Sequence, residues 1–233
     1  MERRQVRTVS DLAAQVASDL AGVLREVAAH QGRVTLCLSG GGTPLPVYRR
    51  LARTPDLPWG RVWVAWGDER DVPPDHKDRN ERAAREALLD HVPVPEDQVL
   101  PWPYVPDADP ADAAEAYAER LRAALGDPAE GPWFDLTLLG LGTDGHTASL
   151  FPGSGGVHAP GLATHVRAGL AGPARLTLTP EALGSSERVW FLAAGEGKRR
   201  ALLATLAGGD PDRLPASAIT ARSDLRVYTD LVL

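Results

Sequence analysis

Short apolar runs that alternate with helical segments constrain the fold of this 233-residue chain more than any other feature. Three of these runs end at Leu38, Trp66 and Leu139, and glycine or charged residues follow each one. Continuous apolar runs of five or six residues are typical of strands that are buried on both faces. The pattern therefore predicts an α/β fold, with a doubly wound, mostly parallel sheet that carries helices on both faces.

We expect a single domain over residues 1–233, with the following elements. The predicted strands cover residues 33–38, 61–66, 99–100, 134–139, 175–179, 188–194 and 225–232. The predicted helices cover residues 11–30, 43–53, 78–91, 110–125 and 196–207, with Ser10 as the N-cap of the first and a short helical turn from Pro180. Ligands of such sheets bind beyond the carboxyl ends of the strands, so the loops after Leu38, Trp66, Leu139 and Ala194 are the expected sites of chemistry.

Composition excludes several classes of function. The formal net charge of −6, from 25 basic and 31 acidic residues, gives no electrostatic footprint for nucleic acid. No apolar stretch approaches the ~20 residues that span a bilayer, so a cytoplasmic location is expected. The single cysteine, Cys37, excludes an internal disulfide and lies in an apolar run, where it is expected to be a small core residue. No residue spacing matches a metal site.

A glycine-rich loop follows the first predicted strand. Gly40, Gly41 and Gly42 precede Thr43 at the start of a predicted helix. Glycines allow close approach of the backbone to a ligand, and a helix N-terminus favours anions. A tight turn is the alternative, but three glycines exceed what a turn needs. The loop lacks the Gly-Lys-Ser/Thr ending of a nucleotide P-loop, so a small phosphomonoester is the expected ligand.

Charged residues follow the second apolar strand, where Asp68, Glu69, Arg70 and Asp71 are consecutive. Arg70 can bind a phosphate or carboxylate through two parallel hydrogen bonds. A solvated turn with local ion pairs explains the same residues. The position at a strand end favours a functional role.

Two further loops carry residues suited to catalysis or binding. Asp144 and His146 lie in a glycine-rich loop after the strand that ends at Leu139. Histidine side chains move protons near neutral pH, and Asp144 can orient the ring or take part in the proton transfer itself. A structural role for His146 is the alternative. Lys198 falls in the first turn of a predicted helix, where the dipole disfavours a cation, which indicates a ligand role. An ordinary surface lysine, offset by nearby Glu196, is the alternative.

These loops together resemble the 6-phosphogluconolactonase family, within the wider group that includes glucosamine-6-phosphate deaminase. The matching segments are Leu-Ser-Gly-Gly-Gly-Thr-Pro at 38–44, Trp-Gly-Asp-Glu-Arg at 66–70, Leu-Gly-Leu-Gly-Thr-Asp-Gly-His-Thr-Ala-Ser-Leu-Phe-Pro at 139–152, Arg-Leu-Thr-Leu-Thr at 175–179 and Gly-Glu-Gly-Lys at 195–198. They span most of the chain in the family's order, and the third segment is the most specific.

The resemblance implies a Rossmann-like fold that hydrolyses 6-phospho-D-glucono-1,5-lactone in the pentose phosphate pathway, without metal or organic cofactor. It implies that His146 is the catalytic base, with Asp68 and Asp144 as acidic site residues. The implied substrate and phosphate ligands are Gly40, Gly41, Gly42, Thr43, Arg70, Arg175 and Lys198. The implied partner is a small phosphorylated sugar lactone, bound by a monomer or a small homo-oligomer.

The sequence departs from the family's pattern at two positions and leaves two other functions open. Arg79 precedes Asn80 where the family often has serine, which leaves the role of Asn80 open, and Gly42 stands where many members have serine. A deaminase would carry an Asn-Glu-Pro element after the Asp-Gly-His, and this chain has none there. A sugar-phosphate-binding regulator without catalysis is the other alternative.

Overall fold

The computed structural model describes residues 1–6, 8–167 and 172–232. The strands are β1 (Glu2–Gln5), β2 (Val34–Leu38), β3 (Val62–Trp66), β4 (Asp68–Arg70), β5 (Val99–Leu100), β6 (Leu136–Gly140), β7 (Ala163–Arg167), β8 (Ala174–Leu178), β9 (Arg188–Ala193) and β10 (Asp224–Thr229). The α-helices are α1 (Val9–His30), α2 (Pro44–Leu51), α3 (Asn80–Ala87), α4 (Pro110–Leu125), α5 (Pro180–Gly184) and α6 (Arg199–Leu206).

Seven strands form a parallel sheet in the order β1-β10-β9-β6-β2-β3-β5. All five residues of β2 are buried, as expected for a central strand covered on both faces. Helices flank the sheet, which confirms the predicted fold class.

The strand order reverses between β2 and β6. From β2 the chain builds outward through β3 to β5, whereas β6, β9 and β10 extend the sheet on the other side. Loops that leave two adjacent strands at such a point diverge and open a crevice at the carboxyl edge of the sheet. The glycine-rich loop follows β2 and the histidine loop follows β6, so both border this crevice.

A second sheet, which the sequence did not predict, packs three antiparallel strands in the order β4-β8-β7. The charged segment after Trp66 is therefore a strand rather than a loop: Asp68, Glu69 and Arg70 pair with Thr177, Leu176 and Arg175. Three consecutive charged residues carry no strand periodicity, which is why the pairing is invisible in the sequence. The prediction of a strand near residues 175–179 is confirmed, although β8 lies outside the parallel sheet.

Other differences concern the ends of elements. Helix α1 begins at Val9, with Thr8 as the N-cap that accepts a hydrogen bond from the Asp11 N–H, so the assignment of Ser10 was wrong. Helix α3 is shorter than predicted and ends at Ala87. Lys198 closes a 3₁₀ turn that precedes α6. The edge strand β1 was missed because its residues are all exposed.

Candidate active site

The glycine-rich loop connects the carboxyl end of β2 to the start of α2. Gly41 has a φ of +92°, a left-handed conformation that favours glycine. Thr43 is the N-cap residue of α2, and its side chain makes no capping hydrogen bond. The loop therefore places peptide N–H groups and a hydroxyl at the positive end of a helix, an arrangement that favours anions.

One cavity at the reversal of strand order joins this loop to the histidine loop. Its lining residues come from the ends of β2, β4, β6 and β9 and from the segments that follow them. They are Ser39, Gly40, Gly41, Gly42, Thr43, Pro44, Asp68, Arg70, Asn80, Gly140, Leu141, His146, Ala148, Leu192 and Lys198. The structure thus brings an imidazole, a carboxylate and two cationic side chains to the same space as the glycine loop.

The histidine loop is tightly folded around the ring of His146. The Gly142 N–H donates to the His146 carbonyl at 2.7 Å, and the Thr147 hydroxyl donates to the Gly140 carbonyl at 2.8 Å. A Cβ on Gly142 would lie 2.1 Å from His146 Nδ1, so only glycine fits there. The second glycine, Gly145, has a φ of +89°. These glycines explain why the ring has a defined position in a loop.

Asp144 orients the ring of His146. Its Oδ1 lies 2.6 Å from His146 Nδ1 and accepts the His146 N–H at 3.1 Å. Burial opposes ionisation of Asp144, but the hydrogen bonds and charge of His146 outweigh it and hold the pKa of that carboxyl below its usual range. An ionised carboxylate can only accept, so Nδ1 carries a proton, and whenever the ring is neutral Nε2 is its basic nitrogen.

Asp68 is a buried carboxylate that lines the cavity, with only 8% of its surface exposed. Its Oδ2 accepts the Ser149 hydroxyl at 2.7 Å, and its Oδ1 lies 3.3 Å from Asn80 Nδ2. Burial raises the pKa of Asp68, while the Ser149 hydrogen bond and the charges of nearby Arg70, Arg175 and His146 oppose the rise. Burial and charge thus act in opposite directions on this carboxyl, as is common at functional sites.

Two cationic side chains face the cavity. Arg70 Nη1 donates to the Asp78 carbonyl at 2.5 Å. Lys198 Nζ donates to the Leu141 carbonyl at 2.5 Å, which ties it to the start of the histidine loop. Burial lowers the pKa of Lys198, and the charge of Asp144 opposes that shift.

Arg175 and Asp144 do not line the cavity directly. Arg175 pairs with Arg70 in the register of β4 and β8. Burial, followed by the charge of Arg70, lowers the pKa of Arg175, and its Nε is buried without a hydrogen-bond partner among the described residues. Arg175 therefore lies beside Arg70 on the neighbouring strand and adds positive potential to that side of the site.

Two polar residues join the site that the sequence alone did not assign. Ser149 lies in the segment at 139–152, and its hydroxyl donates a hydrogen bond to Asp68 Oδ2. Asn80 lines the cavity, and its Nδ2 donates to the Asp68 carbonyl at 3.0 Å. The proximity of Ser149 to His146 in sequence was an available signal, whereas Asp68 and Asn80 are 12 positions apart and the sequence gives no sign of their contact.

Within residues 1–6, 8–167 and 172–232, no group of three or more His, Cys, Asp or Glu side chains is arranged to hold a metal ion. Over the same part of the chain, none of the helices combines the length and the apolar character needed to cross a membrane.

Comparison with known proteins places this geometry in a family. The family model for glucosamine-6-phosphate isomerases/6-phosphogluconolactonase matches residues 7–228. A 6-phosphogluconolactonase of Synechocystis sp. is 43% identical over 203 residues, which cover 84% of this chain and 82% of the relative. A 6-phosphogluconolactonase of Mycobacterium tuberculosis is 37% identical over 226 residues, covering 91% of this chain and 89% of the relative.

Solved structures agree with the sequence comparisons. The 6-phosphogluconolactonase of Thermotoga maritima superposes with a TM-score of 0.86 at 28% identity and covers 98% of both chains. A monomeric glucosamine-6-phosphate deaminase superposes with a TM-score of 0.82 at 23% identity, over 98% of this chain and 97% of its own, and shares the fold. The chain belongs to the family of glucosamine-6-phosphate isomerases and 6-phosphogluconolactonases.

Proposed function

We propose that this protein hydrolyses 6-phospho-D-glucono-1,5-lactone to 6-phospho-D-gluconate in the oxidative pentose phosphate pathway. One observation carries the proposal: the ring of His146 lines the same cavity as the anion-binding loop at Gly40–Gly42. A phosphate held at the loop would set a sugar lactone within reach of the imidazole. The names of the relatives and of the Thermotoga maritima structure support this choice of substrate.

The phosphate is bound by the glycine loop and by cationic side chains. The peptide N–H groups of Gly41 and Gly42, with the Thr43 hydroxyl, surround it at the helix N-terminus. Arg70 or Lys198 adds a charge-assisted hydrogen bond. Arg175, beside Arg70 on the neighbouring strand, adds a further positive charge for the phosphate.

Hydrolysis then needs one water and one base. His146 Nε2 takes a proton from the water as its oxygen bonds to the lactone carbonyl carbon, which gives a tetrahedral oxyanion. Lys198, or a peptide N–H of the loop, stabilises that charge. Collapse of the intermediate breaks the bond to the ring oxygen, which receives the proton from His146. Asp144 keeps the ring oriented throughout, as its contact with Nδ1 allows.

In this proposal Asp68 binds the substrate and does not activate the water. Its carboxylate is fixed by Ser149 and faces the cavity, where it can accept hydrogen bonds from sugar hydroxyls. Hydrogen bonds from the sugar to a preorganised carboxylate hold the lactone in the geometry that attack requires.

The test is the rate of lactone hydrolysis by His146→Ala, measured with freshly generated substrate and corrected for spontaneous loss. We expect kcat to fall by about 10²–10⁴-fold, the usual contribution of a general base. His158→Ala is a matched control, because His158 forms a similar pair with Asp212, at 2.9 Å, and does not line the cavity. A kcat for His146→Ala close to that of the wild type would refute the assignment.

Other functions of the site give different products. Release of ammonia from glucosamine 6-phosphate would identify a deaminase, and tight binding of 6-phosphogluconate without turnover of the lactone would identify a regulator.

We further propose that residues 1–233 act as one domain, in the cytoplasm and without a nucleic-acid partner, as a monomer or a small homo-oligomer. The net charge of −6 supports the exclusion of nucleic acid.

A further inference from the structure

A buried carboxylate lies directly behind the cavity. Glu69 stands in β4 between Asp68 and Arg70, which both line the cavity, and its own side chain is wholly buried. Successive side chains of a strand point to opposite faces, so Glu69 points away from the substrate. Burying a carboxylate is costly unless hydrogen bonds and charge compensate it, so the contacts of Glu69 indicate its role.

Those contacts converge on the first turn of α3. Glu69 Oε1 accepts the N–H of Asn80 at 2.7 Å and that of Arg70 at 2.8 Å, and Oε2 accepts the N–H of Glu81 at 2.8 Å. Asn80 and Glu81 begin α3, whose N-cap residue, Arg79, makes no capping hydrogen bond with its side chain. Glu69 therefore satisfies the free N–H groups of this helix from a neighbouring strand, as a capping side chain would.

Arg79 supplies the compensating charge. Its Nε lies 3.6 Å from Glu69 Oε2, and its Nη1 donates to the Val72 carbonyl at 2.9 Å. Nη2 donates to the Trp102 carbonyl. With only 1% of Arg79 exposed, the ion pair and these hydrogen bonds fix the segment before α3 against the protein interior.

The side chain of Asn80 connects the start of α3 to the cavity. Its Nδ2 donates to the Asp68 carbonyl at 3.0 Å and lies 3.3 Å from Asp68 Oδ1. Its Oδ1 and Cγ occupy the space beside Gly40, where a Cβ would lie within 2.3 Å of either atom. Asn80 thus bridges the carboxylate strand and the glycine loop, and Glu69 holds the backbone from which it extends.

We propose that Glu69 is a positioning residue for the reaction, because it caps α3 and thereby fixes the Asn80 amide that orients Asp68. This role rests on the proposed lactone hydrolysis. Its consequence is kinetic: loss of Glu69 misplaces Asp68 in the bound complex and lowers kcat, while the glycine loop and Arg70 still bind the phosphate.

The experiment compares Glu69→Gln, Asn80→Ala and the double variant by kcat and KM for the lactone. We expect each single change to lower kcat by about tenfold or more, with KM changed by less than about threefold. Because both changes interrupt one chain of contacts, the double variant should lose no more than about twofold beyond the worse single variant. Glu81→Gln is the control: it lies on the same turn and 3.6 Å from Arg79, but its carboxylate caps no backbone N–H among the described hydrogen bonds.

A second readout does not depend on turnover. Hydrogen exchange of the Asn80 side-chain amide, followed by NMR, should be slow in the wild type and fast in Glu69→Gln. Wild-type kcat in Glu69→Gln, additive losses in the double variant, or unchanged amide exchange would each overturn the proposal. If Glu69→Gln does not fold, Glu69→Asp, which withdraws the carboxylate by one methylene, is judged by the same criteria. An inactive wild type would refute the lactonase assignment instead, and the amide exchange would still test Glu69.

Discussion

The amide of Asn80 occupies the place that any side chain at residue 40 would need, since a Cβ on Gly40 would lie 1.9 Å from Asn80 Oδ1. Asn80 is itself 4% exposed, so it has little room to move aside. A glycine at this position therefore leaves room for the Asn80 amide and also allows a ligand to approach the backbone.

Gly40→Ala should consequently lower both stability and activity. Overpacking of a buried contact costs about 1–3 kcal/mol, so we expect the free energy of unfolding in urea to fall by that amount. In an Asn80→Ala background the same change should cost much less, because the opposing atoms are gone. Gly42→Ala is the control, since a Cβ there meets no atom within 4 Å. Equal losses in both backgrounds would contradict the contact.

Gly42→Ser should improve substrate binding. A Cβ at residue 42 meets nothing within 4 Å, and the position faces the cavity. A serine hydroxyl there adds one donor toward the phosphate, a gain of about 1 kcal/mol, which corresponds to a roughly fivefold lower KM. Gly42→Ala separates the hydroxyl from the added methyl group. An unchanged KM in the serine variant would place the phosphate away from this part of the loop.

Ser149→Ala should shift the pH dependence of the reaction. Burial raises the pKa of Asp68 and the hydrogen bond from Ser149 lowers it, so removal of the hydroxyl raises that pKa further. If ionised Asp68 is needed, the acidic limb of the kcat/KM profile moves to higher pH. Ser154→Ala, in the same loop but bonded to the Phe151 carbonyl, should leave the limb in place. If the acidic limb of the kcat/KM profile is unchanged in Ser149→Ala, Asp68 is not the group whose ionisation produces that limb.

Arg79→Ser should destabilise this protein. Loss of one partner from a buried ion pair costs about 3–5 kcal/mol, whereas Arg82→Ser, at an exposed pair with Glu86, should cost less than about 1 kcal/mol. Urea denaturation measures both losses.

The loss in Arg79→Ser should also depend on pH. Burial raises the pKa of Glu69 to about 7, with the N–H groups of Asn80 and Glu81 and the charge of Arg79 opposing it. An acid with a raised pKa stabilises the folded state at low pH, and this contribution is lost as pH rises through the folded-state pKa. The charge of Arg79 stabilises only the ionised form of Glu69, which forms as pH rises through that pKa. The loss of stability in Arg79→Ser should therefore be larger at pH 8.5 than at pH 5.5. A deficit independent of pH would mean that Arg79 acts through its carbonyl contacts alone.

The sequence predicts the parallel sheet well, because residues 34–38 and their counterparts are continuous apolar runs, and such runs are stable only when covered on both faces. The carboxyl ends of those strands then locate the glycine and histidine loops. The small antiparallel sheet was not predictable in this way. Glu69 can be buried because its carboxylate accepts hydrogen bonds from the N–H groups of Asn80 and Glu81, and contacts between residues so far apart in sequence leave no periodic signal.

The position of Cys37 has a practical consequence. The only thiol of the chain is fully buried in β2, at the centre of the parallel sheet, and burial raises its pKa well above the usual value. A thiol reagent can reach it only when neighbouring strands separate. The rate of labelling by an excess of reagent thus reports how often the middle of the molecule opens, and a cysteine introduced on the surface would be labelled first, without competition from the native one.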